Sequence, residues 1–142
     1  MKPQKCLVSH KPAQGFYGDC LRACVASILN LEPLTVPHFF QDGCGAVEGE
    51  KRLTDFLRSQ GLGDFRVYYG AEHSLDEVLS MMEQTAPKEL FYMLYCATGQ
   101  GDHVVICKGN KVEHDPAWYI NRNYQPTSAG YWIVSVFVRL GE

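Results

Sequence analysis

A chain of 142 residues that is 46% apolar and 12% aromatic can bury a core unaided, so one globular domain over residues 1–142 is expected. Thirteen Lys and Arg against sixteen Asp and Glu leave a formal charge of −3 with no basic cluster to neutralise a phosphate backbone, which argues against a nucleic-acid partner. No apolar run approaches the length of a membrane span, and the opening MKPQKCLVSHKP holds none of signal-peptide length, so a cytoplasmic protein with no membrane partner is expected.

In chain order, AQGFYGDCLRACVASIL at residues 13–29 sets a Gly-rich turn against an apolar helix. From Asp19 onward Leu21, Cys24, Val25, Ile28 and Leu29 recur at helical spacing, and Pro33 and Pro37 are expected to end the run. DGCGAVEGE reads as a Gly-rich loop. GEKRLTDFLRSQG reads as a second helix with Leu53, Phe56 and Leu57 inward and Gly61 as its stop. DFRVYYG has the look of a short strand, and Ser74 with Glu77 makes a capping box before a third helix, SLDEVLSMMEQ. After Pro87 the pattern is sheet: ELFYMLYCAT, then the hairpin DHVVICKGNKVEHD turning at Gly109 and Asn110, then YWIVSVFVRL. Helices followed by antiparallel strands predict an α+β domain, with the helices on one face of a twisted antiparallel sheet and the first of them central.

Of the six cysteines, read as thiols and mostly core residues in the absence of an export signal, Cys20 stands apart. With Asp19 as N-cap, its side chain bonding back to the second or third helical amide, Cys20 is the first helical residue, where unpaired N–H groups favour a thiolate. Cys24 lies one turn further in, beyond most of that effect. A nucleophilic thiol needs a base and a group that orients the base. His103 opens an apolar strand behind a Gly-rich approach, at a sheet edge, and Asp115 closes the next strand before Pro116. A strict two-residue turn at Gly109 and Asn110 would put His103 and Asp115 on opposite faces of the hairpin. A three-residue loop with a bulge puts them on one face, and that is the expected geometry.

Gln14, Cys20 at the head of a helix, a late His103 on a strand and Asp115 before Pro116 together resemble the papain-like cysteine peptidases, most of all the compact C39-like, bacteriocin-processing branch. The resemblance covers most of the chain in order. It implies a papain-like fold and a thiol hydrolase of peptide, isopeptide or side-chain amide bonds. In that pattern Cys20 is the nucleophile, His103 the base, Asp115 the orienting acid, and Gln14 with the Cys20 amide the oxyanion hole. Trp118 resembles the aromatic that shields the His–acid bond. The chain departs from the C39-like pattern in carrying Leu21, where Gly usually follows the nucleophile. The implied partner is a peptide or protein substrate, and no cofactor is implied. A different reading keeps the fold and uses its cleft only to bind a protein or peptide, as an inhibitor or adaptor.

The remaining residues read plainly. Cys20, Cys24, His103 and His114 match no common zinc spacing, so no metal is expected. His10, His38 and His73 stand in turn or cap contexts and read as surface or structural. The aromatics of VYYG and FYMLYC alternate as in a buried sheet, unlike a platform for stacking bases.

Overall fold

The computed structural model describes residues 1–117 and 122–141. Its helices are α1 (Cys20–Leu29), α2 (Ala46–Ser59) and α3 (Leu75–Thr85), and its strands are β1 (Leu62–Gly70), β2 (Phe91–Thr98), β3 (Gly101–Lys108), β4 (Lys111–His114) and β5 (Tyr131–Arg139). The strands form one antiparallel sheet in the order β1-β5-β2-β3-β4, so the architecture is α+β as the pattern predicts. No described helix is long and apolar enough to cross a membrane. Trp118 lies outside the described residues. The chain divides into two compact units, the first built mainly on residues 1–65 and the second mainly on 66–115 and 122–136.

In the first unit α1 is wrapped on most sides. Leu21, Ala23, Cys24, Val25, Ala26 and Ser27 are all buried, whereas Ile28 and Leu29 are only half-buried. The N-terminal segment runs along it, with the Lys2 amide on the Ser27 carbonyl at 3.0 Å and the Gln4 amide on Ser27 Oγ at 2.9 Å. The helix ends before either proline acts. Asn30 takes a left-handed φ of 57°, the Leu31 amide reaches back to the Ala26 carbonyl, and the Asn30 amide reaches the Ser27 carbonyl, a Schellman closure. Helix α2 buries Leu53 and Leu57 and stops at Gly61, whose φ of 74° a side chain would oppose.

Gly49 of α2 touches the Phe40 ring so closely that a Cβ there would lie 2.0 Å from a ring carbon. Gly49→Ala therefore sets a helix-propensity gain of about 1 kcal/mol against overpacking that costs about 1–3 kcal/mol. Thermal melting should fall in this variant, and a rise would show that Phe40 moves aside freely.

In the second unit α3 starts at the expected capping box. Ser74 Oγ accepts from the Glu77 amide at 3.2 Å, and Glu77 Oε1 accepts from the Ser74 amide at 3.0 Å. Val78, Leu79 and Met82 of α3 pack on a sheet face made by Tyr92, Leu94 and Cys96 of β2, Val105 and Cys107 of β3, and Trp132 and Val134 of β5. His103 falls on that same face, because residues of a strand alternate and it stands opposite Cys96 across β2 and β3.

The β3–β4 hairpin corrects one expectation. Lys108 pairs with Lys111, so Gly109 and Asn110 make a strict two-residue turn, with the positive φ of 59° at Gly109 alone, as in a type II′ turn. The odd residue sits inside the strand instead. Cys107 pairs with Val112 and Ile106 with His114, which leaves Glu113 as the bulged residue. The bulge shifts the parity of everything after it, so Asp115 comes to the face that carries His103.

Candidate active site

In the first unit, Cys20 is the first residue of α1, because the Asp19 carbonyl accepts the helix's opening bond from Ala23 at 2.9 Å. Cys20 is half-buried and Cys24 fully buried, so of the two thiols on this helix only Cys20 meets solvent. None of the six cysteines is in a disulfide.

The Asp19 side chain does not cap the helix as expected. Its carboxylate turns away, accepting from the Leu7 amide at 3.0 Å, the Val8 amide at 3.0 Å, and Arg22 Nε and Nη2 at 3.0 and 2.8 Å. The long-range demand wins because two backbone amides and a guanidinium outweigh one local cap bond. Among the described residues the Cys20 amide has no hydrogen-bond partner, so the first donor of α1 stays available beside its thiol.

Gln14 ends a one-turn 3-10 helix, Pro12–Gln14, in a loop pinched by reciprocal bonds between Lys11 and Phe16. The turn closes on Gly15 with φ 80°, which leaves Gln14 exposed at the loop tip. Its side chain has no hydrogen-bond partner among the described residues.

In the second unit, His103 and Asp115 form a tight, buried pair. His103 Nε2 donates to Asp115 Oδ1 at 2.8 Å, with 6% and 2% of the two side chains exposed. A carboxylate accepts only, so this bond puts the proton of the neutral ring on Nε2 and makes Nδ1 the basic nitrogen. β3 is an inner strand of the sheet, yet its described pairing with β4 stops short of His103. The described register with β4 begins at Ile106, so at His103 the described partner strand of β3 is β2. The adjacent Asp102 does not compete for the imidazole through its engaged oxygens: it accepts from the Ser128 amide at 2.8 Å and Ser128 Oγ at 2.7 Å.

Tyr124 completes the pair and has no signature in the sequence. Its hydroxyl donates to Asp115 Oδ2 at 2.6 Å, so each carboxylate oxygen has a strong donor. Burial, and the bond to Asp115, push the Tyr124 phenol far above its ordinary pKa and keep it a donor. Reciprocal bonds between Ala97 and Gln125, at 2.7 and 2.8 Å, hold Tyr124 beside the end of β2. Arg122 Nε stands 4.0 Å from the same carboxylate oxygen, on a largely exposed side chain.

His10, His38 and His73, expected in turn or cap contexts, are each engaged with backbone groups. His38 Nε2 meets the Tyr17 carbonyl at 2.7 Å, His10 Nδ1 accepts from the Gly18 amide at 3.1 Å, and the His73 carbonyl accepts from Trp132 Nε1 at 2.8 Å. Among the described residues no group of three or more His, Cys, Asp or Glu could hold a metal ion. No protein-family model, no curated protein and no solved structure matches this chain.

Proposed function

We propose that the chain is a papain-like cysteine hydrolase that cleaves a peptide, isopeptide or side-chain amide bond through a Cys20 thioester. The observation that carries the reading is the buried His103–Asp115 pair, its second carboxylate oxygen held by Tyr124. A structural histidine has no need of a carboxylate fixed at both oxygens. A general base does, because ring orientation and tautomer then stay constant while the other nitrogen gains and loses a proton.

In this mechanism the Cys20 thiol gives its proton to His103 Nδ1, and the thiolate adds to the acyl carbon. The oxyanion is met by the open Cys20 amide and by the Gln14 side chain, a type of donor worth about 3 kcal/mol of barrier. The imidazolium returns its proton to the leaving amine as the C–N bond breaks. Water, deprotonated by the same nitrogen, then releases the acid and restores the thiol.

Iodoacetamide labelling tests the reading. Rapid alkylation of Cys20 that is lost in His103→Ala supports the hydrolase, whereas a Cys20 rate unchanged in His103→Ala favours a domain that only binds a protein or peptide.

Asp115 orients and does not take the proton, so Asp115→Asn should keep part of the activity, its amide oxygen accepting the imidazole N–H while the Tyr124 hydroxyl rotates to accept from the new NH2. Tyr124→Phe leaves one buried carboxylate oxygen without its main donor, at a cost of about 1–3 kcal/mol in stability, together with a several-fold fall in turnover. Hydrolysis rates and denaturant melts read both effects, and activity unchanged in Asp115→Ala would remove Asp115 from the site.

A further inference from the structure

The two histidines bonded near Cys20 hold opposite ends of a single peptide group. The carbonyl of Tyr17 and the amide of Gly18 belong to the same plane, which lies between two imidazoles: His38 Nε2 donates to the oxygen at 2.7 Å, and His10 Nδ1 accepts from the N–H at 3.1 Å. This plane is the last one before Asp19 and Cys20 that contains a glycine amide. Glycine visits every backbone region readily, so Gly18 by itself sets no orientation for the chain entering α1. Downstream, the Asp19 carboxylate is held by Leu7, Val8 and Arg22 and its carbonyl starts the helix, which leaves the peptide entering Gly18 as the flexible joint before Cys20. Upstream, the Tyr17 ring is seated over Gly43, where a Cβ would come 2.5 Å from its Cζ. The rings of His10 and His38 supply the restraint that Gly18 lacks.

We propose that His10 and His38 are positioning residues for the Cys20 thiol, clamping the Tyr17–Gly18 peptide so that the thiol and the amide of Cys20 keep one orientation. The inference rests on the reading of Cys20 as nucleophile. Neither histidine touches substrate or the reacting atoms; each acts through the peptide plane. The partners define the roles of the two nitrogens, because a carbonyl requires N–H on His38 Nε2 and an amide requires a lone pair on His10 Nδ1.

The test measures iodoacetamide alkylation of Cys20 at neutral pH and at about pH 10, where thiols ionise without help. His38→Ala and His10→Ala should slow the neutral-pH reaction about five-fold or more, the equivalent of one lost hydrogen bond, while leaving the alkaline rate in place. His38→Gln, which restores a donor, and His10→Asn, which restores an acceptor, should recover most of the neutral-pH rate. A general loss of stability would not follow that pattern, and circular dichroism melts identify any variant that fails to fold, in which case the Gln and Asn variants decide. Neutral-pH rates unchanged in both alanine variants, or no recovery in the conservative ones, would overturn the clamp. His103→Ala in the same assay keeps the two ideas apart. An unchanged rate there overturns the hydrolase reading and the clamp with it, whereas a fall there with unaffected His10 and His38 variants overturns the clamp alone.

Discussion

Cys20→Ala is expected to abolish the proposed hydrolysis, by roughly 10⁴-fold or more as for the loss of enzymic nucleophiles in general, with the fold intact. Alanine suits the first turn of a helix, and the side chain it replaces is only half-buried, so little packing is lost. Cys24→Ala should do the reverse. Its sulfur is fully buried in the first unit and replacing it leaves a small cavity, costing about 1 kcal/mol with turnover unchanged. The two thiols are four residues apart on one helix, so each controls for the other. Amine release from a panel of peptide, isopeptide and side-chain amides, read beside a thermal melt, gives both quantities. Full activity in Cys20→Ala would sink the mechanism.

Much of this arrangement is legible in the residues because it is local. The apolar spacing of α1, the Ser74–Glu77 capping box and the stop at Gly61 depend on neighbours within a turn, and each stands where the pattern puts it. What was not legible is set by partners far along the chain. The end of α1 is decided by Asn30 in a left-handed turn before the prolines have any effect. The hairpin parity that puts Asp115 on the face of His103 is correct in outcome but not in cause. A Gly-Asn pair suits both a two-residue turn and a longer loop, and nothing in KVEHD marks Glu113 as the bulged residue. Tyr124 reaches Asp115 through the pairing of Gln125 with Ala97, 28 positions earlier, a contact with no periodic trace. The same holds for His10 and His38, whose bonds run to backbone groups. Cys20 is legible from its place at the helix start, whereas Gln14 stands out only by its order in the chain, which specifies residue types well and loop conformation poorly.

Asp19→Ala should give the largest loss of stability among single substitutions near the proposed nucleophile, about 3–5 kcal/mol. Two roles for this residue predict different magnitudes. An ordinary N-cap side chain is worth about 1 kcal/mol, because water replaces much of what is lost. Asp19 is different: its side chain is fully buried, it accepts from the Leu7 and Val8 amides, and it faces an Arg22 side chain that is only 11% exposed. Its removal strands two amide donors and a guanidinium with little water to take its place. Asp19→Asn keeps one acceptor but turns an NH2 toward those donors, so it should rescue only part of the loss. The sharpest check is the double variant Asp19→Ala with Arg22→Ala. Taking away the stranded guanidinium removes part of the penalty, so the double variant should be less destabilised than the sum of the two single ones. Denaturant melts of the four proteins measure this directly. A loss near 1 kcal/mol with additive effects would mean that the carboxylate serves only the helix end. The predicted result makes Asp19 the bolt that ties residues 7 and 8 to the start of α1.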